Sequence, residues 1–134
     1  MGGVRLKLFV YGTLLEGERN HRVLEGSQLL YRGITLEAIM YDTGDGYPAI
    51  ELSQHSKVIG NVYEVPDNLW VNLDELEGYT GDPHTDLYTK QMVNLKTKDG
   101  DLDAVVYTVS DETMKKVIIP SGDWIAYRKS QEIK

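Results

Sequence analysis

The chain has 134 residues, 41% of them hydrophobic and 26% charged, with a formal charge of −7 and no cysteine. That balance is expected of a globular protein large enough to bury a core, and it speaks against a nucleic-acid partner, which needs a basic patch. Without cysteine there is no disulfide framework, thiolate metal site or cysteine nucleophile.

No apolar run approaches the roughly 20 residues of a membrane-spanning helix. Residues 1–5 lack the basic-then-apolar layout of a signal peptide, and Leu6 stands where a myristoylation signal wants Ser or Thr. No repeat, low-complexity tract or flexible linker divides the chain. The expectation is one cytoplasmic domain without a membrane partner, a monomer or weak homodimer.

The first element is a strand over residues 6–11. Leu6, Leu8 and Val10 alternate with Phe9 and Tyr11, so both faces are largely apolar and the strand belongs in a sheet interior. It runs into Gly12-Thr13-Leu14-Leu15. Gly12 allows positive φ or the close approach of a ligand, and such a turn aims backbone N–H groups at one point, where a small anion is held. The same spacing also suits an ordinary strand end. A short helix over residues 20–24, with Asn20 as cap, follows.

Strands are then expected over residues 29–31, 34–41, 47–50 and 58–65, with a turn at Asp42-Thr43-Gly44-Asp45-Gly46. Two more, 88–96 and 102–109, are joined through Lys98-Asp99-Gly100-Asp101, and Asp-Gly between alternating apolar runs is a hairpin signature. Between these strands lies the clearest helix, residues 67–77. It follows Pro66, has Asp67 in the N-cap position and stops at Gly78. The fold class is therefore α+β, with many short strands, one or two peripheral helices and a closed or half-closed barrel.

The helix over 67–77 carries an unusual carboxylate. Leu69, Trp70, Leu73 and Leu76 form one apolar stripe, and Glu77, four residues after Leu73 and seven after Trp70, projects from it. Burial and the negative end of the helix dipole both favour its neutral form, which would raise its pKa toward the range of a base working at neutral pH. The other reading is a frayed last turn with Glu77 in solvent.

Phe9-Val10-Tyr11-Gly12-Thr13-Leu14, Gly17 and Asn20-His21-Arg22-Val23-Leu24, in that order, resemble the opening of the gamma-glutamyl cyclotransferase-like family, and most of all its gamma-glutamylamine cyclotransferase branch. Leu73-Asp74-Glu75-Leu76-Glu77 is similar to that family's helical Leu-Asp-x-x-Glu pattern, and Ser121-Gly122-Asp123-Trp124 looks like the tail of its small bacterial members. The resemblance implies a small mixed β-barrel with a cavity at the glycine turn. It implies release of 5-oxoproline from a gamma-glutamyl compound, a small-molecule substrate, with no cofactor. It makes Glu77 the catalytic acid/base and Tyr11, Gly12, Thr13 and Leu14 the loop that holds the glutamyl end, while Tyr88 and Tyr107 resemble cavity tyrosines of relatives. The chain departs from the closest branch after Glu77, in the polar loop of residues 78–86.

The residues suit that chemistry. A gamma-glutamyl group brings its own nucleophile, the α-amine, so neither serine nor cysteine is required. The rival from another class is a non-catalytic module that binds a small acidic metabolite in the same cavity, for which Glu77 would be superfluous. Asp42-Thr43-Gly44 spells the aspartic-protease triplet, but Asp45-Gly46 makes it read as a solvated turn. Asp82, His84 and Asp86 alternate without the look of a metal site, His21 and His55 stand alone, and no metal is expected. Tyr47 and Tyr79 are candidates for the cavity rim, and Trp70 and Trp124 for packing.

Overall fold

In the computed structural model, which describes residues 6–82 and 84–132, the apolar alternation of the first strand organises the whole molecule. β1 (Leu6–Val10) lies inside a six-stranded sheet with β2 (Gln28–Asp42), β3 (Pro48–Val65), β4 (Tyr88–Thr97), β5 (Gly100–Val109) and β6 (Val117–Ile119). The strand order is β4-β5-β1-β3-β2-β6. β1 runs antiparallel to β3 and parallel to β5, which makes the sheet mixed. Two helices, α1 (Trp70–Glu77) and α2 (Trp124–Glu132), accompany it. No helix among the described residues is long and apolar enough to cross a membrane. Residues 1–5, read above for targeting signals, lie outside the described residues.

Each face of β1 feeds its own core. Phe9 and Tyr11 join Ile34, Leu36, Val93, Leu95, Val106 and Trp124 on one side. Leu8 and Val10 join Leu14, Leu24, Leu73, Tyr88 and Tyr107 on the other, beneath α1. The first core contains residues of both β2 and β4, which stand far apart in the strand order, so the sheet curls strongly on itself. Hydrogen bonding does not complete the circle. β4 and β6 remain its edges, and the expected barrel is a curled open sheet.

The expected strands 29–31 and 34–41 merge into β2, whose pairing with β3 shifts register at Leu29/Tyr31, Tyr31/Ile34 and Glu37/Ala38. Likewise β3 joins the segments expected at 47–50 and 58–65. At the last register shift β2 pairs Glu37 with Lys57 but Ala38 with Leu52, so residues 53–56, polar throughout, bulge out of the ladder. The β4–β5 hairpin closes at Thr97 and Gly100, where the Asp-Gly signal predicts it. β6 and α2 have no counterpart among the predicted elements. β6 is too short for periodicity to register. α2 did carry a start signal, because Asp123 Oδ1 accepts the Ala126 N–H at 3.1 Å.

The 67–77 helix splits. Asp67 is not a side-chain cap; it opens a 3₁₀ turn, Asp67–Leu69, behind an extended Pro66, and the α-helix begins at Trp70. Its end matches expectation. Gly78 is left-handed at φ 67°, and Tyr79 N–H reaches back to Asp74 O at 2.8 Å, the bond pattern of a Schellman stop. An alanine at 78 would meet only ordinary contact with Leu87, at 3.5 Å, so strain in φ alone should set its cost. Gly78→Ala should destabilise the protein by about 1 kcal/mol, read as a lower urea midpoint with unchanged slope.

Candidate active site

β1 ends at a cavity of about 190 Å³. Its wall comes from six places in the chain: residues 9–14 at the end of β1, Arg19 and Asn20 after the turn, Tyr47 and Pro48 at the start of β3, Leu76 and Glu77 in α1, Leu87 and Tyr88 at the start of β4, and Tyr107 in β5. All seven residues singled out from the sequence, Tyr11, Gly12, Thr13, Leu14, Glu77, Tyr88 and Tyr107, line this one space.

The turn is folded by its carbonyls. Gly12 O accepts the Leu15 N–H at 3.0 Å, Thr13 O accepts the Asn20 N–H at 3.0 Å, and Leu14 O lies 2.8 Å from His21 Nδ1. Asn20 does not cap the 3₁₀ turn His21–Leu24 with its side chain; its amide donates to Thr13 Oγ1 instead. The carbonyls thus point back into the loop, while the N–H groups of Thr13 and Leu14 find no acceptor among the described residues. Thr13 is half-buried and Leu14 buried, and N–H groups left open beside a cavity can receive a ligand's oxygen. Of the two uses expected of Gly12, the structure excludes the left-handed conformation. Its φ is not positive, and a Cβ there would lie 2.6 Å and 2.8 Å from Pro48 Cγ and Cδ. Its missing side chain admits the proline ring that packs behind the turn.

Four tyrosines surround Glu77. The Tyr11 hydroxyl donates to Tyr107 O and that of Tyr88 to Pro48 O, each at 2.7 Å. The Tyr107 hydroxyl donates to Asp74 Oδ1 at 2.7 Å. Burial, reinforced by neighbouring negative charge, pushes all three phenols far above their ordinary range, and it raises Tyr47 as well. The protons of Tyr11, Tyr88 and Tyr107 are committed, so none of these three serves as a base near neutrality. Glu77, in the last turn of α1, has no hydrogen-bond or ion-pair partner among the described residues. Burial pushes its carboxyl up from 4.5 to about 7. The stripe position read from the sequence therefore leads into the cavity rather than into solvent. Of the stripe residues only Leu73 is fully buried; Glu77 is half-buried and lines the cavity, and Leu76 is exposed at the cavity's edge.

Behind Tyr107 stands a small polar network that the sequence pattern did not reveal. Lys90 Nζ lies 3.1 Å from the Asp74 carboxylate and over the Trp70 and Tyr79 rings, at 5.6 and 4.8 Å. Tyr79, expected at the rim, is instead held beneath this ammonium and does not line the cavity. Asp74→Ala should leave the Tyr107 phenol without an acceptor and cost about 1–3 kcal/mol. In a Tyr107→Phe background the same change should cost less, a coupling that a double-mutant cycle in urea measures.

The remaining polar candidates have structural partners. Asp86 accepts from Thr80 N–H, Thr80 Oγ1 and Gly81 N–H at 2.7–2.9 Å. Burial works to raise its pKa, but these bonds outweigh it and hold the carboxyl below its usual range. Asp42 accepts the Gly44 N–H and the Tyr127 hydroxyl, at 2.8 and 2.6 Å, as part of the β2–β3 turn. No cluster of three His, Asp or Glu among the described residues is arranged to hold a metal ion. Sequence reading missed Arg19, Asn20, Pro48, Leu76 and Leu87 as cavity residues. Only Asn20 gave a signal, its place beside the glycine turn.

The family model described as gamma-glutamyl cyclotransferase, AIG2-like, matches residues 8–126. Over 74 residues the chain is 45% identical to gamma-L-glutamyl-butirosin B gamma-glutamyl cyclotransferase of Niallia circulans, a match covering 55% of this chain and 47% of that protein. Over 133 residues it is 32% identical to gamma-glutamylaminecyclotransferase of Bos taurus, covering 87% of this chain and 73% of the relative. Among solved structures, YkqA from Bacillus subtilis superimposes with a TM-score of 0.77 at 26% identity, over 97% of this chain and 43% of that one. The matches thus span less than half the length of the butirosin enzyme and of YkqA.

Proposed function

The chain belongs to the gamma-glutamyl cyclotransferase, AIG2-like family, and on that premise we propose that it is an enzyme releasing 5-oxoproline from a gamma-glutamyl amine or a related gamma-glutamyl compound. The observation that carries this reading is one unpaired carboxyl with a pKa of about 7 in the cavity that also holds the idle N–H groups of Thr13 and Leu14.

In the reaction, the ionised Glu77 takes a proton from the substrate's α-ammonium. The freed amine attacks the γ-carbonyl carbon, closing a five-membered ring and placing a negative charge on the carbonyl oxygen. The intermediate collapses by breaking the bond between the γ-carbon and the leaving nitrogen, to which Glu77 returns that proton. The ring nitrogen, which still carries two hydrogens and a positive charge, then gives one to the Glu77 carboxylate, which passes it to the departing amine, so that 5-oxoproline and an ammonium leave. No water is consumed and no external nucleophile is needed. Backbone N–H groups of the 12–14 turn hold the anionic parts of the substrate. The Tyr88 and Tyr107 oxygens, whose protons are donated elsewhere, accept from the ammonium. Intramolecular ring closure reaches effective molarities on the order of 10⁵–10⁸ M when the groups are aligned, so much of the work is positioning.

The test is to incubate the purified protein with a panel of gamma-glutamyl amines and gamma-glutamyl amino acids and to quantify 5-oxoproline and free amine. The two products should appear in equal amounts. Substrate binding without any product across the panel would replace the enzyme by a binding module.

A further inference from the structure

Two charged side chains line the cavity, Glu77 and Arg19. Proton transfer accounts for Glu77; the fold does not account for Arg19. Among the described residues its guanidinium forms no ion pair and donates no hydrogen bond. Two other arginines nearby in the fold are paired through both nitrogens, Arg32 with Glu16 and Arg128 with Glu18.

The backbone at Arg19 is nevertheless held in place. Its loop is folded onto the glycine turn by Glu18 N–H to Leu15 O and Asn20 N–H to Thr13 O, each at 3.0 Å. The preceding residue, Glu18, is gripped by Arg128 of α2 at 2.7 Å. Gly46 leaves room beside the guanidinium. A Cβ at position 46 would lie 3.0 Å from Arg19 Nη1 and 3.6 Å from Nη2. Asp45 and Asp111 also act on the neighbouring Tyr47, but neither pairs with Arg19, and Asp111 is engaged by Thr113.

Depth assigns what Arg19 meets. Gly12 and Leu14 are buried at the inner end of the cavity, where the reacting glutamyl group belongs. Arg19 is exposed at the mouth, together with Leu76 and Leu87, which are 39% and 38% exposed although apolar. Whatever projects past them is the leaving amine. A protein of formal charge −7 repels anions in general, and the unpaired guanidinium at the mouth offers a positive charge that an anion can meet there.

We propose that Arg19 is a specificity-determining residue for the leaving group and selects an amine that itself bears an anionic group on an apolar body. This rests on the cyclotransferase reading above. The discriminating substrates are three γ-glutamyl amides of equal length that differ only at the far end: those of 4-aminobutyrate, butylamine and 1,4-diaminobutane. Wild type should prefer the anionic compound, then the neutral one, then the cationic one. Arg19→Gln should lower kcat/KM for the anionic compound about tenfold or more, chiefly through KM, and leave the neutral compound within about twofold. Arg19→Lys should restore part of the preference.

Equal losses on all three compounds would overturn the proposal, because Arg19 would then serve the shared glutamyl end. So would a wild type without charge preference. If wild type makes 5-oxoproline neither from these three nor from the wider gamma-glutamyl panel above, the cyclotransferase reading is what fails. Calorimetric binding of the same compounds to wild type and Arg19→Gln then decides on Arg19 by the same ranking.

Discussion

Glu77→Gln should lower 5-oxoproline release by about 10⁴-fold while leaving the protein folded and substrate binding near the wild-type level. General acid–base catalysis is typically worth about 10²–10⁴-fold, and here one group serves both proton transfers, which places the loss at the upper end. Glutamine keeps the volume of the side chain but cannot carry a proton from one nitrogen to the other. In wild type the base must be ionised, so kcat/KM should rise with pH and level off above about 7, where burial has placed the carboxyl. Glu77→Gln should flatten that limb of the profile.

The same burial makes a prediction of opposite sign for stability. The folded protein holds the Glu77 proton more tightly than the unfolded chain does. The resulting stabilisation is complete below pH 4.5 and is lost as the pH rises through about 7. Glutamine escapes the loss. Moving a carboxyl from 4.5 to about 7 is worth on the order of 3 kcal/mol at 1.36 kcal/mol per pH unit. At pH 8 the inactive variant should therefore melt several degrees above wild type, and the advantage should vanish by pH 4. Thermal melts at the two pH values test it; a variant less stable than wild type at pH 8 would remove Glu77 from the buried site.

Gly12→Ala should be the second severe change. The added methyl would start 2.6 and 2.8 Å from two Pro48 ring carbons, so the proline or the turn must move. Overpacking of this kind costs about 1–3 kcal/mol. The functional loss should exceed what stability alone implies, because Pro48 O is the acceptor that fixes the Tyr88 hydroxyl. A misplacement on the order of 1 Å costs about 10²-fold in rate. Pro48→Ala in the Gly12→Ala background should return stability by removing the opposing ring. Gly12→Ala with wild-type stability and activity would show that the turn does not depend on this contact.

The elements that sequence reading placed well are those whose evidence is local. The alternation in residues 6–10, the Asp-Gly hairpin and the Gly78 stop each depend on neighbours within a few positions, and the structure keeps all three. Glu77 belongs with them, because spacing of three and four residues on a helix decides which face a side chain takes. The elements missed had weak local signals. β6 is three residues long, and α2 was marked only by Asp123. Of the closed and half-closed forms of the expected barrel the structure takes the unclosed one, because closure depends on whether two distant strands meet, and β4 and β6 stay apart as edges.

From the sequence alone came the α+β class, the family resemblance, the glycine turn and the carboxylate on the apolar face of its helix. The tertiary structure decided that Pro48 fills the space beside Gly12, that the phenol protons of Tyr11, Tyr88 and Tyr107 are committed elsewhere, and that Arg19 stands unpaired over Gly46 at the mouth. The division has a physical cause. Backbone geometry carries a side chain's direction across one turn or one pleat, whereas burial, hydrogen-bond partners and pKa depend on segments tens of residues apart that meet only when the sheet curls.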